Sequence, residues 1–437
     1  MLVVGTGTYC DAAIAEAAMA ALDRSRFRVV YLADASQVRS APSFVERVYA
    51  YATPRFVTRD VDGGAADTAV SVAGWALAHP VKAYQAYAWL RAVADRVRRL
   101  EARHRPACVL VHYGLLPAMR HMGADALAAV PHVVLHFAPG VPNASVPWVF
   151  DGRLRRRAFR LYDPSTSDAV AQSWAALEAR VQVAKGEGGC FHRALVHALC
   201  WEAAAAPPLV PLAGSGGALE VHRVGSLLDG SLAARFPGAP ADLLAFMRAN
   251  RARVALVTFG SFAGVASLRE ALPSIVAALV AAGHAVLLHG RFEDADAIRG
   301  HHAEGSVFVF DGFLPYAWAV PRLQLCVFTG SACLQNVCLY HRVPMLYVAL
   351  LTEQCLWAKN YEHMAGVTYL APHDEPLRST KRALPRALRE ALAPRARSYL
   401  AAVSAAMRAA RRKGAAALSR LVERLVREDA QRRMAGW

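Results

Sequence analysis

Val254-Ala-Leu-Val-Thr-Phe-Gly-Ser261 is a short, partly β-branched apolar run ending in a glycine-serine turn, and residues 268–282 behind it are alanine- and leucine-rich with helical character. Strand, small-residue turn and helix form the repeating unit of a parallel sheet, because parallel neighbours need a crossover that is usually a helix. Outward from this stretch the unit returns at Cys326-Val-Phe-Thr-Gly-Ser-Ala-Cys333, and apolar runs at 285–288, 307–310 and 345–349 predict further strands. From residue 384 onward the spacing turns helical, with Leu400, Val403 and Met407 on one stripe and Leu418, Leu421 and Leu425 continuing it after Gly414.

The first half carries the same alternation. Strands are predicted at 2–4, 28–32, 109–111, 132–135 and 221–225, and a helix at 12–22. Leu90, Val93, Val97 and Leu100 mark one face of a second, amphipathic helix. Periodicity fails over 203–217, which holds Pro207-Pro208, and again at Phe236-Pro-Gly-Ala-Pro240. The expected organisation is therefore a first α/β domain over 1–228, a linker over 229–250 and a second α/β domain over 251–437.

Composition agrees with two packed cores. A chain of 437 residues exceeds what one hydrophobic core usually serves, and 55% hydrophobic against 19% charged residues excludes a disordered chain. The apolar run at 343–351 is too short to cross a bilayer, and the opening Met1-Leu2-Val3-Val4 reads as a strand without a basic leader, so a cytoplasmic protein is expected. Cys10, Cys108, Cys190, Cys200, Cys326, Cys333, Cys338 and Cys355 are dispersed through apolar sequence without close pairs, which points to buried thiols in a reducing compartment. The histidines have no metal-spaced acidic partners, so no metal is expected. The net charge of +16 is arginine-driven and densest at Arg153-Leu-Arg-Arg-Arg-Ala-Phe-Arg160. Skewed codon usage accounts for it as well as nucleic-acid binding does, and no nucleic acid is expected as a partner.

In open parallel sheets ligands gather at the carboxyl ends of the strands, where helix N-termini direct free amides outward. The two glycine-serine turns are thus candidate phosphate seats, although strand-Gly-Ser-helix is also ordinary turn chemistry. The series Val221-His-Arg-Val-Gly225, Val257-Thr-Phe-Gly-Ser261, Phe313-Leu-Pro315, Phe328-Thr-Gly-Ser331, Val343-Pro-Met345 and Glu353-Gln354 resembles, in order and spacing, the donor-binding signature of the UDP-glycosyltransferase family. In the first half the likeness rests on the opening strand-turn-helix and on Ala138-Pro-Gly-Val-Pro-Asn143.

The resemblance implies the GT-B architecture: α/β, two Rossmann-like domains facing across a cleft, with C-terminal helices packing back toward the first. It also implies donor-site roles. Phe313 stands where the family stacks an aromatic ring on uracil. Gly260 and Ser261 would lie near the nucleotide and its phosphates, Gly330 and Ser331 at a helix start, and Glu353 and Gln354 on the sugar hydroxyls. Two positions depart from the signature: Thr329 replaces the histidine that contacts the diphosphate, and Val337 replaces the glutamate that binds ribose. Asn336 beside it is the candidate substitute, and Tyr316 stands where glutamine is usual.

Family members carry a general-base histidine after the first strand and an aspartate mid-domain that orients it. Here Gly5-Thr-Gly-Thr-Tyr-Cys-Asp11 has no histidine, whereas Val109-Leu-Val-His112 ends in one. A swapped dyad follows as an expectation, with His112 as base and Asp11 fixing its tautomer. The alternative is a satisfied histidine and an aspartate capping a helix that begins at Ala12. Tyr9, Tyr113 and Trp148 would line the acceptor pocket. The expected function is transfer of a sugar from a UDP-sugar or other nucleotide-diphosphate sugar, as co-substrate without a further cofactor, to a hydroxyl of a small, fairly apolar acceptor, with inversion. The departures keep open a degenerate binding protein without chemistry.

Overall fold

A computed structural model describes residues 1–5, 9–35, 38, 41–52, 80–112, 115–119, 122, 124–136, 195–199, 220–225, 227, 236, 238–260, 263, 266–348, 368–370 and 377–435. Two parallel sheets organise them. The first is seven-stranded in the order β3-β2-β1-β4-β5-β6-β7. Its strands are β1 (Leu2–Val4), β2 (Val30–Asp34), β3 (Arg47–Tyr51), β4 (Val109–His112), β5 (His132–His136), β6 (Leu195–Leu199) and β7 (Glu220–Arg223). Helices α1 (Tyr9–Ala21), α2 (Pro80–His104), α3 (Leu116–Met119) and α4 (Ala124–Ala129) accompany them.

The second sheet is six-stranded in the order β10-β9-β8-β11-β12-β13. It contains β8 (Val254–Thr258), β9 (Ala285–His289), β10 (Val307–Phe310), β11 (Leu325–Phe328), β12 (Met345–Val348) and β13 (Thr368–Leu370). Its helices are α5 (Ala241–Ala249), α6 (Ala266–Ala281), α7 (Ala295–Gly300), α8 (Tyr316–Ala319) and α9 (Ala332–His341), and α10 (Leu377–Ala391) and α11 (Pro394–Met434) close the chain.

Both sheets are covered on both faces, as parallel sheets must be. Leu2 and Val4 point to one core with Val93, Val97 and Leu100 of α2, while Val3 points to the other with Ala15, Ala18 and Met19 of α1. In the second sheet Leu256, Leu287 and Phe328 face α5, α8 and α9, and Val257, Leu288 and Val327 face α6 and α10. Leu243, Phe246 and Met247 of α5 are part of that core.

The sequence places several ends differently. The second strand is Val30–Asp34 rather than 28–32, and the first helix begins at Tyr9, so Asp11 is its third residue and not a cap before Ala12. The two C-terminal stripes lie on one 41-residue helix that runs through Gly414 without a break. Leu400, Val403 and Met407 pack under the second sheet, while Leu418, Leu421, Val422 and Leu425 pack under the first. At 1.5 Å per residue that helix spans about 60 Å and bridges both cores. Gly414 is buried where it passes Gly225, whose Cβ position lies 3.9 Å from the Gly414 Cα. Gly225 itself has φ +86°, a conformation that favours glycine.

Candidate functional site

In each sheet the first strand is central, and the chain winds outward on one side before returning to the other. The switch points fall between β1 and β4 and between β8 and β11. A crevice opens outside the carboxyl ends of strands at such a point, because the loops on either side depart in opposite directions.

At the second switch point Thr258 and Phe328 are register partners, so the turns after β8 and β11 leave the sheet side by side. Gly260 is exposed with φ +55°, and its N–H lies 3.4 Å from Thr258 Oγ1. After β11 come Thr329, 5% exposed, and Gly330 at φ +103°, a conformation that favours glycine. Ser331 is the N-cap residue of α9, with φ −65° and ψ 124°, and its carbonyl closes the first turn to Gln335 N at 2.9 Å. The N-terminal amides of a ten-residue helix therefore begin beside the Gly260 turn. Such a terminus favours an anion by about 0.3–1 kcal/mol, and up to about 2 when partly buried.

Two strands away, the turn after β10 presents Phe313, 57% exposed. Across the carboxyl edge, on one face of the sheet, the strands align Phe310, His289, Thr258, Phe328 and Tyr347 in register. His289, which the sequence reading passed over, is 3.1 Å from Gly312 O through Nε2, and its Nδ1 is 3.4 Å from both Thr258 Oγ1 and Tyr316 Oη. Burial pushes its pKa below the usual histidine value, opposed by the Gly312 carbonyl. The available signal was a polar residue closing the apolar run 285–288 where a parallel strand ends. On α9 Asn336 and Val337 are both buried, Val337 within the core beside Leu334 and Cys338. Tyr347 Oη donates to Gln335 Oε1, which anchors this helix to β12.

At the first switch point Val4 pairs with Val111, and His112 follows as the last residue of β4, buried at 4% exposure. Alternation along β4 puts His112 on the face shared by Leu110 and α1. The N-terminal turn of α1, with Tyr9 and Asp11, starts at that carboxyl edge. Gly5, next after β1, donates to Leu32 O at 3.0 Å and accepts from Tyr51 Oη at 2.6 Å. A Cβ there would lie 2.6 Å from Tyr31 Oη, so any side chain at the start of this loop would have to displace the buried Tyr31 ring. Helix α1 touches α9, which brings the helices that follow β1 and β11 together across the two halves.

Gly260, Phe313, Thr329, Gly330 and Ser331 thus share one edge. His112 ends a strand beside β1, while Asn336 is buried along α9. Ser261, Glu353, Gln354, Tyr113 and Trp148 lie outside the described residues. Among the described residues no group of three histidines, cysteines or acids could hold a metal ion, and no helix is long and apolar enough to cross a membrane. Cys108, Cys326, Cys333 and Cys338 are buried free thiols, and burial raises Cys108 to about 12.

No family model matches the sequence, and no curated protein does. Solved structures do. The glycotransferase of kitacinnamycin aligns over 97% of this chain and 98% of its own, at 15% identity and TM-score 0.65. A UDP-glucosyltransferase from Polygonum tinctorium capable of glucosylating indoxyl aligns over 98% of both chains, at 14% identity and TM-score 0.67. The calicheamicin glycosyltransferase CalG4 aligns over 97% of this chain and 98% of its own, at 14% identity and TM-score 0.62. Likeness at this identity over whole chains fixes the architecture: two Rossmann-like domains of the GT-B type, with the C-terminal helix packed back on the first.

Proposed function

We propose that the chain transfers a sugar from a nucleotide-diphosphate donor, a UDP-sugar by the resemblance, to a hydroxyl of a small, fairly apolar acceptor, with inversion. One observation carries the reading. The Gly260 turn and the Thr329-Gly330-Ser331 turn emerge from adjacent strands at the switch point, where the N-terminal amides of α9, beside the Gly260 turn, can address two linked phosphoryl groups. Phe313 supplies an exposed ring on the same edge for the base. Ser261, Glu353 and Gln354 are assigned to the phosphates and sugar hydroxyls, and Asn336 to the ribose region. Charge developing on the leaving diphosphate would be met by the α9 N-terminus and the Thr329 hydroxyl.

In the first half His112 takes the acceptor proton, oriented by Asp11, and Tyr9, Tyr113 and Trp148 line the acceptor pocket. His112 and the start of α1 share a sheet face and a carboxyl edge, which supports the pairing. The donor needs no added cofactor in this scheme, since amides, a hydroxyl and a helix dipole act on the diphosphate.

A second reading is favoured by a specific observation. Val337 sits in the core and Thr329 is buried where the family has the histidine that contacts the diphosphate, which favours a degenerate binding protein without transfer. Thermal-shift titration with UDP and UDP-sugars, followed by assay of UDP release, separates the two. Transfer predicts stabilisation by UDP, slow turnover of one UDP-sugar, and loss of turnover in His112→Ala with UDP affinity kept. Stabilisation without turnover supports the binding protein, and no stabilisation by any nucleoside diphosphate removes both.

A further inference from the structure

His289 ends β9 between β8 and β10, with Thr258 and Phe310 as its register partners. Its hydrogen bonds decide its tautomer. The Gly312 carbonyl 3.1 Å from Nε2 can only accept, so Nε2 carries the proton and donates. In the neutral ring Nδ1 then accepts, and two hydroxyls lie 3.4 Å away, Thr258 Oγ1 and Tyr316 Oη. Thr258 Oγ1 in turn receives the Gly260 N–H at 3.4 Å. A chain of donors runs from the Gly260 turn through Thr258 and the imidazole to the Gly312 carbonyl.

The ring is held on both sides. It stacks on Phe310 with centroids 6.0 Å apart at 24°, and meets Tyr316 edge-on at 5.7 Å and 87°. Gly312 fits tightly against the same Phe310, whose Cζ would lie 2.6 Å from an added Cβ. Phe313 follows immediately.

We propose that His289 is a positioning residue: as a neutral imidazole it ties the turn that presents Phe313 to the turn that presents Gly260, fixing the span between the base-stacking ring and the phosphate-binding amides. Both nitrogens are engaged within the protein, so the ring acts through the two turns and not on a ligand. The role of those turns rests on the proposed nucleotide site, whereas the tie between them does not. The groups facing the ring are Tyr316 from α8 and Thr258 from β8, while the charged residues of the adjoining turns, Arg291 and Asp311, are exposed.

The test uses the full chain with His289→Phe, His289→Asn and His289→Gln, reading amide hydrogen exchange over residues 256–264 and 308–316 together with the Kd for UDP. Phenylalanine keeps the stacking and loses both hydrogen bonds; asparagine is too short to reach the Gly312 carbonyl; glutamine keeps that donor. Exchange in both turns should rise about tenfold in the phenylalanine and asparagine variants, UDP should bind about tenfold more weakly, and glutamine should restore both to within about threefold. If the phenylalanine variant does not fold, the asparagine and glutamine pair decides. Wild-type exchange in the asparagine variant, or a glutamine variant as impaired as asparagine, overturns the proposal. A wild-type chain that ignores UDP sinks the nucleotide reading instead, and exchange alone then settles the tie.

Discussion

Single residues set the two edges. Gly330 at φ +103° and Gly5, pressed between Tyr31 and Tyr51, are positions where a side chain would have to move backbone or a buried ring. His289 and His284 work through their neutral forms. Burial lowers both, opposed in His289 by the Gly312 carbonyl and in His284 by hydrogen bonds to the Arg253 backbone and the Gln324 side chain. The unfolded chain takes up these protons near pH 6.5, the folded one only at lower pH. The stability they contribute is therefore complete above about pH 6.5 and is lost as pH falls toward the depressed folded values. Urea unfolding at pH 7.5 and pH 5.5 should show a loss of order 1 kcal/mol on acidification, smaller in His289→Gln. Equal losses in the two proteins would contradict this assignment.

At the scale of elements, α9 joins the carboxyl edge of the second sheet to the core. Its start caps the Gly330 turn, and its inner face, with Leu334, Val337 and Cys338, belongs to the core under the second sheet. Its far end is tied to α11, where Ser404 Oγ donates to Tyr340 O at 2.6 Å. A glutamate introduced at Val337 would enter that core and not a ribose pocket. Val337→Glu should thus cost about 3 kcal/mol or more, measured by urea unfolding, and bring no tighter UDP binding. A stable Val337→Glu protein with tighter UDP binding would show that α9 can turn this face to the cleft. Elements with a long apolar period were readable: α6 and α11 follow their spacing closely, and β10 falls on 307–310. β3, β6 and β13 were missed although they are no shorter than the strands that were read, because strand formation there depends on the neighbours they pair with.

The whole molecule depends on α11. One helix supplies Leu400, Val403 and Met407 to the second sheet's core and Leu418, Leu421, Val422 and Leu425 to the first's, so both cores share it. Leu421→Ala should destabilise the first half by about 2–5 kcal/mol, seen as earlier proteolysis of residues 1–225 while the second sheet stays protected. Simultaneous loss of both halves would mean that the helix couples them into one cooperative unit. Sequence by itself determined the alternation of strands and helices, the two parallel sheets and the glycine turns after β8 and β11, because buried strands, turns and helices each leave a local period or a local residue choice. Which strands are neighbours, and so which loops flank a switch point, was decided only in the tertiary structure. So were the place of His289, the inward turn of Val337 and the continuity of α11 past Gly414. Those features depend on contacts between residues far apart in the chain, and no window of sequence contains both partners.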